Sequence, residues 1–137
     1  MIEPIFIGTV NGKPVRFFKT PLTDGKPDFP WHSVDDLQKA AGFDRQTRRH
    51  FLRSMQQKDR KSIATPDGIV VVAPHYMAQG LVGAAIELGV SPGAADNEYH
   101  RAVVDAFKEI EKSEGVGWNT FEYAAQAYRR WKEGEPS

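Results

Sequence analysis

A chain of 137 residues with 40% hydrophobic and 26% charged residues suits one globular domain, or one domain with an appendage, and is long enough to bury a core. It has no cysteine, which excludes a disulfide scaffold and any thiolate metal site; no apolar run approaches a membrane span and Met1-Ile2-Glu3-Pro4 lacks the regions of a signal peptide, so an intracellular protein is expected. The net charge is zero, but residues 1 to 61 hold 12 Lys/Arg against 7 Asp/Glu and residues 62 to 137 hold 6 against 11, an asymmetry that suits a basic face for one partner and an acidic portion that limits non-specific sticking.

Residues 5–10, Asn11-Gly12 and residues 13–18 read as a β-hairpin, because Asn-Gly takes the positive φ angles of a tight type I′ turn. Pro14 cannot donate to a ladder, so its strand is expected to lie at an edge there. Residues 19–30 carry three prolines between Lys19 and Pro30 together with Gly25 and read as loop. Trp31 then leads into a helix as a core anchor under the hairpin.

Ser33 followed by Asp36 is a helix-start signature: a serine oxygen accepts from an exposed amide while a carboxylate sits at the positive end of the dipole. Val34, Leu37 and Ala41 recur at helical spacing and Gly42 supplies the left-handed stop. Asp44 caps the next helix, which carries Phe51, Leu52 and Met55 on its apolar side. The other side holds Arg45, Arg49 and Arg53 at i, i+4 and i+8, with Gln46, Arg48 and His50 beside them. Together the two segments read as a helix-turn-helix. Guanidinium forks suit phosphate oxygens and the O6/N7 edge of guanine, although a solvated surface would look the same in sequence.

Lys58, Arg60 and Lys61 extend the positive charge into a second hairpin, residues 62–65 and 69–72 around Pro66-Asp67-Gly68. The run Ile69 to Val72 is expected to be buried on both faces or nearly so, and the hairpin to act either as a wing or as a closure of the core. A third helix starts at Pro74 with Met77, Leu81, Ala84, Ala85 and Leu88 on one stripe and stops at Gly89. Gly80 and Gly83 weaken it by about 1 kcal/mol each, which close packing is expected to offset. Ser91-Pro92 reads as cap and first residue of a helix with Tyr99, Val103, Ala106, Phe107 and Ile110 inward and Asp105, Glu109, Glu111 and Glu114 outward. Gly115 and Gly117 break it. Asn119 with Glu122 opens a last helix with Phe121, Ala125, Tyr128 and Trp131 aligned, ending near Gly134.

The fold class expected is α+β: two short β-hairpins packed with a helix-turn-helix-like pair, followed by C-terminal helices. Residues 1–90 form a mixed module and residues 91–137 a helical extension, which either docks on the module or supports a homodimer through its apolar stripes. His32, His50, His75 and His100 are scattered, with no HExxH pairing, and phosphate-loop, dinucleotide and nucleophile-elbow motifs are absent. Ser33 and Ser62 read as cap and strand residues, and Asp35 and Asp36 as first-turn carboxylates. No enzymatic activity, cofactor or metal is expected.

The run from Pro30 to Phe43, PWHSVDDLQKAAGF, resembles without a gap a segment of the Bro-N domain that reads roughly Pro-Trp-Phe-x-Ala-x-Asp-Val-x-x-x-Leu-Gly-Tyr. Trp31, Asp36, Leu37, Gly42 and Phe43 carry the match, and the preceding hairpin, the arginine-rich helix and the Thr-Pro-Asp-Gly strand pair agree with it over residues 5 to 90. Ala41 stands where that family has leucine, and Ala73-Pro74-His75-Tyr76-Met77 stands where it shows an Asn-Glu-x-Gly-Leu-Tyr type element. The resemblance implies an antirepressor-like phage or prophage protein that binds double-stranded DNA and controls transcription in the cytoplasm of a bacterial host. The expected DNA-binding residues are Arg45, Gln46, Arg48, Arg49, Arg53, Lys58, Arg60 and Lys61. The competing expectation is an interaction module without DNA binding, either an antirepressor that binds a repressor protein or an inhibitor that presents the acidic helix from Asp96 to Glu114 to a basic partner.

Overall fold

Asn11 and Gly12 both take positive φ, 51° and 76°, the backbone a two-residue hairpin requires. They join β1 (Phe6–Val10) to β2 (Lys13–Phe18), with Phe6 opposite Phe17 and Val10 opposite Lys13. The computed structural model describes residues 1–114 and 120–132, and within them the chain is α+β. The expected breaks and caps at Gly115, Gly117, Asn119 and Gly134, and the side chain of Phe121, lie outside the described residues.

A three-residue strand, β3 (Trp31–Ser33), comes where only a lead-in to a helix was expected. His32 pairs with Phe17 on one side and with Ala73 on the other, so β3 welds the two hairpins into one sheet. The second hairpin is β4 (Lys61–Thr65) and β5 (Gly68–Ala73), and the strand order is β1-β2-β3-β5-β4, all antiparallel. β3 reaches β2 only at Phe17 and Phe18, which leaves Pro14 where its missing donor costs nothing. The expectation that β5 is buried on both faces or nearly so is corrected: Val70 and Val72 point inward while Ile69 is 72% exposed, the alternation of a strand solvated on one face.

Two helices follow β3, α1 (Val34–Ala40) and α2 (Arg45–Ser54); a single 3-10 turn (Gln57–Asp59) leads to β4. After β5 come α3 (His75–Glu87), α4 (Ala94–Glu114) and α5 (Thr120–Lys132). The main core joins Val10, Val15 and Phe17 of the first hairpin to Leu37 of α1, Val82 of α3, and Tyr99 and Val103 of α4. Residues on both sides of position 90 therefore share one interior. α4 lies so close on β1 that a Cβ on Gly8 would come 2.7 Å from Ala102 Cβ. The inward stripe of α4 is covered within the chain.

α3 is rotated from its expected stripe. Ala78, Val82 and Ala85 are the buried residues and Leu88 is 69% exposed, because small side chains let α3 approach the core more closely than Met77 and Leu88 would. Gly80 and Gly83 are not explained by close packing, since a Cβ on either meets nothing within 4 Å. Ser91 is no helix cap: its hydroxyl donates to Ala41 O and accepts from Asn11 Nδ2, tying the α3–α4 connection to the end of α1. On α5, Ala127 and Arg130 are buried while Tyr128 is exposed. Asp28, itself buried, explains the docking of α5: it accepts from Trp31 Nε1 at 2.7 Å and Trp131 Nε1 at 2.6 Å. The Arg130 guanidinium donates to the carbonyls of Lys26 and Pro27 and to Asp24.

Candidate nucleic-acid interface

The turn between α1 and α2 is built from residues the sequence points to. Ser33 Oγ accepts from Asp36 N at 3.2 Å and Asp44 Oδ1 accepts from Thr47 N at 2.8 Å, so both helices begin on side-chain caps. The amide of Thr47 holds the Asp44 carboxyl below the usual carboxylate range. Between them Gly42 has φ +93° and faces Val90 O at 2.7 Å from where a Cβ would stand, so the turn is pressed against the α3–α4 connection. Phe43 is buried and its ring lies 5.1 Å from that of Phe51.

α2 itself buries no residue. Arg45, Arg49 and Arg53 are exposed and, among the described residues, none of the three has an acidic partner within ion-pair distance. On a rise of about 1.5 Å per residue they span about 12 Å of one helix face. Gln46, Lys58 and Lys61 are exposed as well. Between Asp44 and Lys61 there are seven Lys/Arg against two Asp/Glu, and one of those acids, Asp59, is turned inward to accept from the Tyr76 hydroxyl.

Two of the expected contact residues do other work. Arg48 Nη1 donates to Phe43 O at 2.9 Å and its Nε stands 3.9 Å from Asp35. Arg60 Nη1 donates to Leu52 O at 2.7 Å. Each guanidinium thus satisfies a carbonyl at one end of α2, and both are only half-exposed.

Beside the basic face runs a groove of about 480 Å³, bounded by α2, by α1 and by β5. Arg45, Arg48, Arg49 and Leu52 form one wall, and Ile69 and Val71 stand opposite. Arg16 closes it from β2, gripping Asp36 through Nε at 2.7 Å and Nη2 at 3.0 Å, a bidentate pair. The hydrogen bond to Asp36 raises the Arg16 pKa, so that guanidinium is engaged within the protein. Gln38 of α1 also lines the groove and is 2% exposed, with no hydrogen-bond partner for its Nε2. Neither Arg16 nor Gln38 was singled out in the sequence. The available signal for Gln38 was a polar residue four positions after Val34, on the apolar stripe of α1.

Elsewhere, His32 and His75 converge on Tyr99, with ring centroids 6.5 and 5.6 Å from it. Among the described residues no group of three His, Asp or Glu could hold a metal ion. The acidic face of α4 is partly tied up within the chain: Glu98 accepts from Asn11 N, Glu109 lies 3.5 Å from Lys112 and Glu114 lies 3.6 Å from Lys19. No helix among the described residues is long and apolar enough to cross a membrane. No family model, curated protein or solved structure matches the chain.

Proposed function

We propose that the chain binds double-stranded DNA through the outward face of α2, as an antirepressor-like regulator of phage or prophage type acting in a bacterial host cytoplasm. The observation that carries this reading is the stripe Arg45, Arg49 and Arg53, exposed and without carboxylate partners on a helix that buries no residue. Guanidinium groups so placed are free to engage phosphates, and the N-terminal residues Arg45, Gln46 and Arg49 are free to reach base edges. Lys58 and Lys61 add backbone charge. Arg48 and Arg60 support α2 and contribute field more than contact. The likeness of residues 30 to 43 to the Bro-N segment points the same way.

If about five phosphates are neutralised, log K falls with log salt at a slope of roughly −4 to −5. The test is fluorescence anisotropy with random-sequence duplex DNA at low and physiological salt, for the parent and for the triple variant Arg45→Ala, Arg49→Ala, Arg53→Ala. Steeply salt-dependent binding that vanishes in the folded triple variant is the expected result. No binding by the parent even at low salt refutes the reading.

A further inference from the structure

We infer that the groove beside α2 seats one phosphoryl group, with Gln38 as its buried donor. The inference takes its basic wall from the DNA reading and adds a residue and a ligand chemistry to it. Gln38 is 2% exposed, sits among the residues that line the groove, and leaves Nε2 without a partner. A buried amide donor is nearly always satisfied in a folded protein, so Gln38 Nε2 is a place where an arriving acceptor gains a hydrogen bond without displacing one from within the chain.

The lining selects the acceptor. Arg16, Arg45, Arg48 and Arg49 face the groove against Asp35 and Asp67, and Arg16 is already neutralised by Asp36. The unsatisfied charge is therefore on α2, on the side of a donor-only requirement from Gln38, and an anion rich in acceptor oxygens meets both. Ile69 and Val71 of β5 supply an apolar flank of the kind a sugar ring lies against. Two sources share this chemistry: a backbone phosphate of bound duplex and a free phosphorylated small molecule.

Two measurements on the whole chain test the seat. In the first, the native protein is ¹⁵N-labelled, and the side-chain amide resonance of Gln38 is followed as random-sequence duplex or inorganic phosphate is added. In the second, duplex affinity is compared across salt for the parent, Gln38→Met and Arg49→Ala. We expect Gln38→Met to weaken duplex binding about tenfold at every salt concentration with the slope unchanged, because a neutral side chain displaces no counterion. Arg49→Ala flattens the slope by about one.

A Gln38 resonance that shifts with duplex and not with phosphate assigns the seat to the DNA backbone. One that shifts saturably with phosphate, in a protein that does not bind duplex, keeps the seat for a free ligand while the DNA reading fails. A resonance that stays in place under both additions overturns the inference whatever the variant does. So does a Gln38→Met protein that binds duplex and phosphate like the parent.

Discussion

Acidification from pH 8 to pH 5 is expected to remove about 4 kcal/mol of folding stability through two histidines the fold holds neutral. His32 lies in β3 with both flanking strands paired to it; burial, with the charge of His75, pushes its pKa down to about 3. His75 is pushed down to about 4 by burial and by His100, and its Nδ1 lies 2.7 Å from the Tyr99 hydroxyl. Burial raises the Tyr99 pKa, so the hydroxyl remains a donor and the neutral imidazole its acceptor. In the unfolded chain both rings titrate near 6.5. Below that pH the unfolded state binds more protons than the native state, and stability falls as pH falls. At pH 5 each unfolded ring is almost fully protonated and each native ring almost fully neutral, a cost of about 2 kcal/mol per histidine.

The assay is urea unfolding followed by tryptophan fluorescence at intervals from pH 8 to pH 5, with the slope read as proton uptake. Below about pH 6 the slope is expected to approach two protons, or roughly 3 kcal/mol per pH unit, and His32→Leu to halve it. Asp28 works in the opposite direction: burial raises its pKa, so the native state holds that proton longer and acidification through its range adds stability. The measurement is therefore read above pH 5. Stability that changes by less than about 1 kcal/mol over the interval, or a slope the His32 variant leaves intact, refutes the reasoning.

Gly42→Ala forces a Cβ into left-handed backbone and toward Val90 O at 2.7 Å; a loss of about 2 kcal/mol or more in urea unfolding is expected, and a loss under 0.5 kcal/mol contradicts the described turn. Arg60→Met leaves Leu52 O without its donor and is expected to cost about 1 kcal/mol in the same assay. The triple alanine variant of Arg45, Arg49 and Arg53 is expected to unfold within about 1 kcal/mol of the parent, which separates loss of binding from loss of fold.

Local chemistry was legible in the chain. Asn11-Gly12 and Pro66-Asp67-Gly68 marked both hairpins, and the oxygens of Ser33 and Asp44 cap the helices they were expected to cap, because each signal acts within a few residues of itself. β3 was not legible. Three fully buried residues show no alternation, and their partners lie in β2 and β5, more than ten residues away in either direction. The stripe of α3 was legible only in part: Leu81 and Ala85 pack inward as expected, while Ala78 and Val82 take the buried positions and Leu88 is left exposed. Arginine spacing along α2 was correct, yet spacing could not say that Arg48 and Arg60 would turn onto backbone carbonyls. That division depends on where helix ends and neighbouring side chains meet in space. Gln38 was not singled out in the sequence, and only the packed groove reveals its amide without a partner.

α2 is a helix of ten residues, too short to persist alone in water, and it contributes no buried residue to the core. It is held at its ends: by the Asp44 cap, by the Phe43–Phe51 contact, and by guanidinium bonds from Arg48 and Arg60 to Phe43 O and Leu52 O. Those contacts account for two of the arginines. They leave Arg45, Arg49 and Arg53, whose like charges at four-residue spacing work against the helix by a few tenths of a kcal/mol per pair. Arg53, in the last turn, is favourable to the helix dipole; Arg45 and Arg49 have no such compensation. An anion laid along the stripe turns the repulsion into attraction, and a polyanion with evenly spaced phosphates does so for all three at once.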